Sequence, residues 1–216
     1  MVKAKLIAVT KPLHSDYGNT PEDLVSYCAR VSNAENQQNF DTAEKLLQYC
    51  VRNEHWSIFE MVDATMEIKC PRDISRQIVR HRSFSFQEFS QRYSDKVEFC
   101  ERQPRRQDNK NRQNSIDDLG VDKLQIYEQH EEAVKSAAKS AYEAMIKAGI
   151  AKECARVVLP EGLTMSRLFM KGSLRSWIHY LNVREGNGTQ QEHVQVAKEC
   201  RKELLKHFPM VLGVSN

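Results

Sequence analysis

Met61-Val62-Asp63-Ala64-Thr65-Met66-Glu67-Ile68-Lys69-Cys70-Pro71 is the stretch from which the fold is read. Val62, Ala64, Met66, Ile68 and Cys70 fall on alternate positions, and Asp63, Thr65, Glu67 and Lys69 lie between them. A period of two puts the first set on one side of an extended chain, which predicts a strand with one buried face. Pro71 cannot donate to a ladder but suits the first turn of a helix, so it ends the strand and opens a helix over about 72–82. Residues 83–92 mix aromatic and polar side chains and look like a loop, and Lys96–Glu101 reads as another strand.

Working outward, Lys3–Thr10 reads as a strand. Thr20-Pro21-Glu22-Asp23 offers an N-cap, a proline at the first helical position and acids in the first turn, hence a helix from Pro21 to about Val31. A second helix is expected over Asp41–Asn53, with Leu46, Leu47 and Val51 at helical spacing. Residues 103–118 are almost wholly polar and predict a mobile loop or an excursion at an interface. Asp122–Lys147 predicts a helix about 40 Å long, closed by Gly149. Cys154–Leu159 is short, helical or extended, and is stopped by Pro160. Ser166–Leu181 shows a helical pattern in Leu168, Phe169, Leu174, Ile178 and Leu181, and Glu192–Phe208 is the last helix. At least five helices and three short strands make an α+β fold, with residues 1–216 as a single domain.

The composition is that of a globular chain: 216 residues, 40% hydrophobic and 28% charged. No run of about 18 apolar residues offers a membrane span, and the apolar stretch near the N-terminus is too short for a secretory signal. Six cysteines at 28, 50, 70, 100, 154 and 200 include no C-x-x-C, which argues against zinc-ribbon and thioredoxin chemistry. They are expected to be packing thiols in a reducing, cytoplasmic compartment, with Cys154 and Cys200 fitting helices as small apolar side chains. The net charge is only +3, but residues 71–112 carry 11 Lys/Arg against 6 Asp/Glu while the rest carries 21 against 23. A positive field gathered in one segment expects an anion.

Three segments hold the candidate chemistry. The densest is Ser75-Arg76-Gln77-Ile78-Val79-Arg80-His81-Arg82, followed by a hydroxyl-rich and aromatic run to Ser94. On a continuous helix Gln77 and His81 share one face and Arg76 and Arg80 the next. Arginine meets phosphate through paired hydrogen bonds, so this cluster expects an anion, whether nucleic acid, a phosphorylated small molecule or an acidic protein. The second spans 153–184, with Arg156, then Arg175 and His179 four apart, then Arg184. The third, His55-Trp56-Ser57-Ile58-Phe59-Glu60, also fits a plain capping box, Ser57 capping and Glu60 reaching back. No G-x-G-x-x-G, P-loop or H-E-x-x-H occurs, so a nucleotide cofactor must bind outside those frameworks and no metal is expected.

Arg80-His81-Arg82, seven residues, then Ser90 resembles the R-H-R-x7-S signature of the flavin-dependent thymidylate synthases. The likeness extends to Gln77, Glu88, Arg92 and Tyr93, to His55-x-Ser57-x-x-Phe59-Glu60, to Ala155–Pro160 and to Leu174–Arg184. It thus covers about residues 50–210. Gln87, Gln91, Ser173 and His179 stand where several members carry Asn, Gly, Asn and Asn.

The resemblance implies conversion of deoxyuridine monophosphate (dUMP) to thymidylate, with methylenetetrahydrofolate as one-carbon donor and NADPH as reductant through bound FAD. It implies no protein nucleophile, an α+β fold with a small antiparallel sheet flanked by long helices, and a homotetramer with active sites between subunits. Carried over residue by residue, Gln77, Ile78, Val79, Arg80, Glu88, Phe89, Ser90, Gln91, Arg92, Arg156 and Arg184 would contact dUMP. His55, Ser57, Arg80, His81, Arg82, Glu88, Ser173, Leu174, Arg175 and His179 would contact FAD. Arg184 would be the catalytic residue, a cation that never deprotonates beside the charge growing on the pyrimidine. The competing readings are a nucleic-acid-binding module, using the local charge and Phe84, Phe86, Phe89 and Tyr93 as stacking platforms, and a catalytically inactive structural relative. No nucleic acid and no membrane partner is expected.

Overall fold

The computed structural model describes residues 2–213. In chain order the strands are β1 (Lys3–Val9), β2 (Asp63–Pro71), β3 (Ser85–Glu88), the two-residue pair β4 (Arg106–Gln107) and β5 (Ser115–Ile116), and β6 (Met165–Ser173). The helices are α1 (Pro21–Ala29), α2 (Ala43–Arg52), α3 (Arg72–Ile78), α4 (Val121–Lys147), α5 (Lys152–Ala155), α6 (Leu174–Arg184), α7 (Gln191–Leu204) and α8 (Pro209–Leu212). The main sheet is antiparallel throughout, in the order β1-β2-β6-β3. This is the small sheet with flanking helices that the resemblance implied.

The alternation in β2 is realised in full. Val62, Ala64, Met66, Ile68 and Cys70 are all at most 1% exposed, and they form the floor of an apolar core that runs in sequence from Val25 to Leu212. Burying a side chain the size of Met66 or Ile68 contributes about 1.5–3 kcal/mol. Trp177 of α6 is fully buried on the same face, and its indole N–H donates to the Ala64 carbonyl at 3.1 Å, so its one polar atom is satisfied. In α1, Thr20 caps Asp23 N–H at 3.1 Å and the Asp23 carboxylate returns to Thr20 N–H at 3.0 Å, a reciprocal box. Gly149, at φ +78°, ends α4 in a Schellman turn: Gly149 N–H donates to Ile146 and Ile150 N–H to Met145.

Five sequence expectations are corrected. Ser166–Leu181 is not one helix: β6 occupies Met165–Ser173, and α6 begins only at Leu174. Leu168 and Phe169 suit one face of a helix, while Leu168 and Met170 alternate with Arg167 and Lys171 as a strand requires, and the deciding partner is remote in sequence. Every residue of β2 pairs with β6, from Asp63 opposite Ser173 to Pro71 opposite Met165. The chain then turns helical where the Ser173 hydroxyl accepts from Ser176 N–H at 3.3 Å.

The supposed loop 83–92 contains β3, which pairs Ser85–Glu88 with Lys171–Leu168. Phe84, just before it, lies over Gly172, where an added Cβ would sit 2.5 Å from the ring. A glycine inside a strand here marks a close approach. The helix expected to 82 stops at Ile78, so Arg80, His81 and Arg82 leave it, and His81 N–H closes a turn on the Ile78 carbonyl at 3.0 Å. Lys96–Glu101 forms no named strand. It runs beside the start of β6 through a single bridge, Phe99 to Thr164, with Met165 N–H donating to Glu98 and Cys100 N–H to Leu163.

The polar stretch 103–118 folds back on itself through β4 and β5. All six cysteines are unpaired. Cys50, Cys70, Cys100 and Cys200 are buried, Cys28 is half-buried, and Cys154, expected in the packing, is exposed.

Candidate active site

The departure of the chain from α3 creates the site. Gln77 on α3, Arg80 just beyond it and Arg184 at the end of α6 line one open cleft of about 580 Å³. Arg184 Nε donates to His81 Nε2 at 2.9 Å. That bond makes Nε2 an acceptor and leaves the imidazole proton on Nδ1. Burial, and then the charge of Arg184, hold His81 down to about 4, so the ring is neutral at physiological pH. Arg80 and Arg82 flank it in sequence but are exposed.

Much of the positive segment is neutralised within the fold. Arg72 meets Glu161 at 3.8 Å, Arg92 meets Glu153 at 3.1 Å, Arg102 meets Asp73 at 2.8 Å, Arg105 meets Glu192 at 2.7 Å, Arg106 meets Asp118 at 2.7 Å, and Arg76 pairs with Glu88. Among the described residues, Arg80, Arg82, Arg156 and Arg184 pair with no carboxylate. These four are the arginines of the matched motifs that remain free for a ligand's charge.

Glu88, at the end of β3, is an internal node. Its carboxylate accepts from Ser75 Oγ at 2.7 Å, from Ser166 Oγ at 2.6 Å and from Arg76. Burial pushes its carboxyl up, and the hydrogen bonds from Ser166, Arg76 and Ser75 outweigh that, leaving it below the ordinary value. The node ties α3, β3 and β6 together. After it, Ser90 organises a tight turn: its hydroxyl accepts from Arg92 N–H at 3.2 Å, and its carbonyl from Tyr93 N–H at 3.2 Å. Phe89 N–H is held by the Arg167 carbonyl at 2.8 Å, and Gln91 is buried. Through Glu153, Arg92 connects this turn to α5 and so to Arg156, which is half-buried. Val79 is half-buried, whereas Ile78 is wholly buried, so its side chain belongs to the core.

A second pocket, of about 530 Å³, brings the other two motif segments together. Arg175, His179 and Asn182 stand on one exposed edge of α6 and face Glu54, Trp56 and Glu60, with Ser83 at the side. Arg175 Nη1 donates to Glu60 Oε1 at 3.0 Å. The capping-box reading of this segment fails: His55, not Ser57, precedes the 3₁₀ turn Trp56–Glu60, it makes no side-chain cap, and Glu60 is engaged by Arg175. His55 and Ser57 are both exposed. Glu54 has φ +58°, a left-handed backbone unusual outside glycine, so this wall of the pocket holds local strain. Ser173 is the buried cap of α6 and Leu174 is a core residue, and neither side chain lines the pocket.

A family profile described as "Thymidylate synthase complementing protein" matches residues 15–210. A probable flavin-dependent thymidylate synthase of Paramecium bursaria Chlorella virus 1 is 47% identical over 97% of both chains. A flavin-dependent thymidylate synthase of Synechocystis sp. is 52% identical over 96% of both. The chain belongs to the flavin-dependent thymidylate synthase family. It is an enzyme of that class, a methyltransferase. Among solved structures, a UMP/dUMP methylase, PolB of Streptomyces cacaoi bound with 5-Br UMP, superposes with a TM-score of 0.82 at 25% identity, covering 99% of this chain and 92% of that one.

Sequence reasoning missed several residues around these two clefts. Gln190 and His193 hold Gln77, Trp56 and Ser83 line the second pocket, and Ser166 holds Glu88. A histidine in the first turn of a helix, or a serine in an unrecognised strand, carries no local signal of such a role. Of the four aromatic side chains considered as stacking platforms, Phe84 is 9% exposed and packs edge-on to Trp177 at 4.9 Å, Phe86 and Phe89 are half-buried, and Tyr93 is exposed. No helix among the described residues is long and apolar enough to cross a membrane, and no metal-binding cluster occurs among them.

Proposed function

We propose that this enzyme converts dUMP to thymidylate, using methylenetetrahydrofolate as one-carbon donor and NADPH as reductant by way of bound FAD, with no protein nucleophile. One observation carries the reading: Arg80 and Arg184, two guanidinium groups without carboxylate partners, line a cleft with the carboxamide of Gln77. Such a set suits an anionic, carbonyl-rich ligand, and the nucleotide-bound PolB shares the fold. Arg184 is the catalytic residue. Its planar guanidinium offsets the negative charge that grows on the pyrimidine as the ring is activated. Neutral His81 fixes its orientation. Ser90, Arg92 and Arg156 form the phosphate end, where Arg92 exchanges Glu153 for the ligand.

The second pocket fits FAD. Arg175 and His179 can meet a pyrophosphate, Ser83 adds a hydroxyl, and Trp56 gives an apolar wall for a ring. His55, Ser57 and Arg82 are exposed and complete the set, from this subunit or from its neighbour in a homotetramer. FAD, when bound, supplies hydride to the pyrimidine ring.

The reading without a protein nucleophile is supported by the two most deeply buried thiols and by Ser90. Burial pushes the Cys70 thiol up to about 12 and that of Cys200 higher still. Ser90 Oγ is an acceptor for the Arg92 backbone, with no base beside it. We place the enzyme in the cytoplasm, where six unpaired thiols persist, and read residues 1–216 as one catalytic domain that assembles as a homotetramer and takes small-molecule substrates, with no nucleic-acid or membrane partner.

The test is the visible spectrum of the purified protein together with tritium release from 5-tritiated dUMP. Flavin bands are expected, with release that requires both methylenetetrahydrofolate and NADPH. A colourless protein that FAD does not reconstitute, and that releases no tritium, overturns the reading.

A further inference from the structure

We infer that His193, which lies outside both clefts, is a positioning residue for the nucleotide cleft, acting through Gln77. His193 sits on α7 and is 0% exposed. Its Nε2 is 3.1 Å from the hydroxyl of Tyr180, also 0% exposed, and its Nδ1 is 3.3 Å from Gln77 Oε1. Gln77 Nε2 in turn donates to Gln190 Oε1 at 2.7 Å. Four side chains from α3, α6 and the start of α7 thus form one chain of hydrogen bonds, with its inner end in the core and Gln77 at the cleft.

The direction of that chain follows from its inner end. A phenol is the stronger donor and an imidazole nitrogen the stronger acceptor, so Tyr180 donates to Nε2. A neutral ring accepting at Nε2 carries its proton on Nδ1 and donates it to Gln77 Oε1. Burial, and then the charge of Arg184, hold His193 down to about 3, which keeps the ring in this neutral form. With Oε1 committed to His193, the amide nitrogen of Gln77 gives one hydrogen to Gln190 and has a second for the cleft that it shares with Arg80 and Arg184. All three cleft groups then present donors. A flipped Gln77 would instead turn its carbonyl toward the cleft and repel a ligand oxygen. The buried network therefore makes Gln77 a donor, and it selects an acceptor oxygen on the nucleotide over an amino group at the same place.

The inference rests on the reading of Gln77 as a nucleotide contact, and the experiment separates the two. dUMP affinity is measured on the FAD-loaded protein for Gln77→Ala, His193→Leu, the double variant and His193→Asn. Flavin content and thermal midpoint are recorded for each. Asparagine keeps a donor near the Nδ1 position and lacks the rest of the ring. Gln77→Ala and His193→Leu are each expected to weaken dUMP binding about tenfold. The double variant should be no weaker than Gln77→Ala alone, and His193→Asn should recover most of the loss. If Gln77→Ala weakens binding but His193→Leu adds its own full loss in the double variant, the positioning role is overturned while the cleft reading stands. If Gln77→Ala leaves dUMP affinity unchanged, both fall. Should His193→Leu not fold, the Asn variant decides: affinity as poor as that of Gln77→Ala in a folded, yellow protein overturns the inference, and near-native affinity sustains it.

Discussion

Arg184 Nε donates to His81 Nε2 at 2.9 Å, joining the last residue of α6 to the segment that has just left α3. The bond uses the inner edge of the guanidinium and leaves its terminal nitrogens for the cleft that Arg184 lines with Gln77 and Arg80. A lysine would keep the charge but lose both the bond to His81 and the planar fork. Arg184→Lys is therefore expected to lower kcat about 10²–10³-fold, and kcat/KM equally, with flavin content unchanged. Arg156, proposed as a ground-state contact to dUMP, should chiefly raise KM for dUMP when replaced by lysine. Steady-state kinetics on flavin-replete protein check both. A Arg184→Lys enzyme with wild-type kcat and a raised KM would reduce Arg184 to a substrate clamp.

The six thiols are expected to be dispensable for turnover. Cys50, Cys70, Cys100 and Cys200 are buried and lie in the packing, so replacing each by alanine costs stability through the cavity it leaves. Cys154 is exposed, two positions before Arg156, and Cys154→Ala should change neither stability nor kcat appreciably. Single variants assayed for tritium release decide this: one that folds and binds FAD and dUMP but never turns over would reveal a cysteine mechanism.

α4 is expected to pack against other copies of the chain. Of its 27 residues only Ala138 and Tyr142 are buried, while Ile126 and Val134 are 57% and 48% exposed. Apolar residues exposed along a helix facing solvent are the mark of a contact surface. Light scattering should report a particle of about 100 kDa, four chains of 25.0 kDa. Ile126→Glu with Val134→Lys should break it into smaller species with reduced flavin content. A stable, fully active monomer would refute the shared site.

Glu22 and His193 set opposite limits on the pH range of stability. Glu22 is 1% exposed, and its Oε1 accepts from Val211 N–H at 2.9 Å. Burial pushes its carboxyl up to about 7. The folded state thus holds this proton more tightly than the unfolded chain does, so the group favours folding at low pH and that contribution is lost as pH rises through about 7. His193 is held down to about 3, so its contribution is present above the ordinary histidine value and is lost as pH falls toward 3. Urea unfolding should accordingly show greatest stability between these limits, near pH 6. Glu22→Gln is expected to stabilise by roughly 2 kcal/mol at pH 8 and to change little at pH 5. Equal effects at both pH values would place the charge of Glu22 outside the folding equilibrium.

By itself, the sequence determined the features that depend on neighbours a few residues apart. The alternation from Val62 to Cys70 specifies β2, Thr20 and Asp23 specify the start of α1, and Gly149 specifies the end of α4, because each rests on backbone geometry within one or two turns. The motif order around Arg80-His81-Arg82, Arg156 and Arg184 was likewise legible, and with it the family.

The tertiary structure decided what depends on remote partners. Met165–Ser173 has side chains compatible with helix or strand, and it is β2, about 100 residues earlier, and β3, on its other side, that give it its ladders. α3 stops at Ile78 because that buried residue is its last anchor in the core and the chain must then swing across to lay β3 on β6, carrying Arg80 and His81 off the helix. Which arginines are free was decided in the same way, by Glu88, Glu153, Asp73 and Glu192 arriving from other elements to neutralise their neighbours. His193 shows the limit most plainly. Its role is set by Tyr180 and Gln77, 13 and 116 residues away, and a hydrogen-bond chain across three helices leaves no periodicity for a sequence to display.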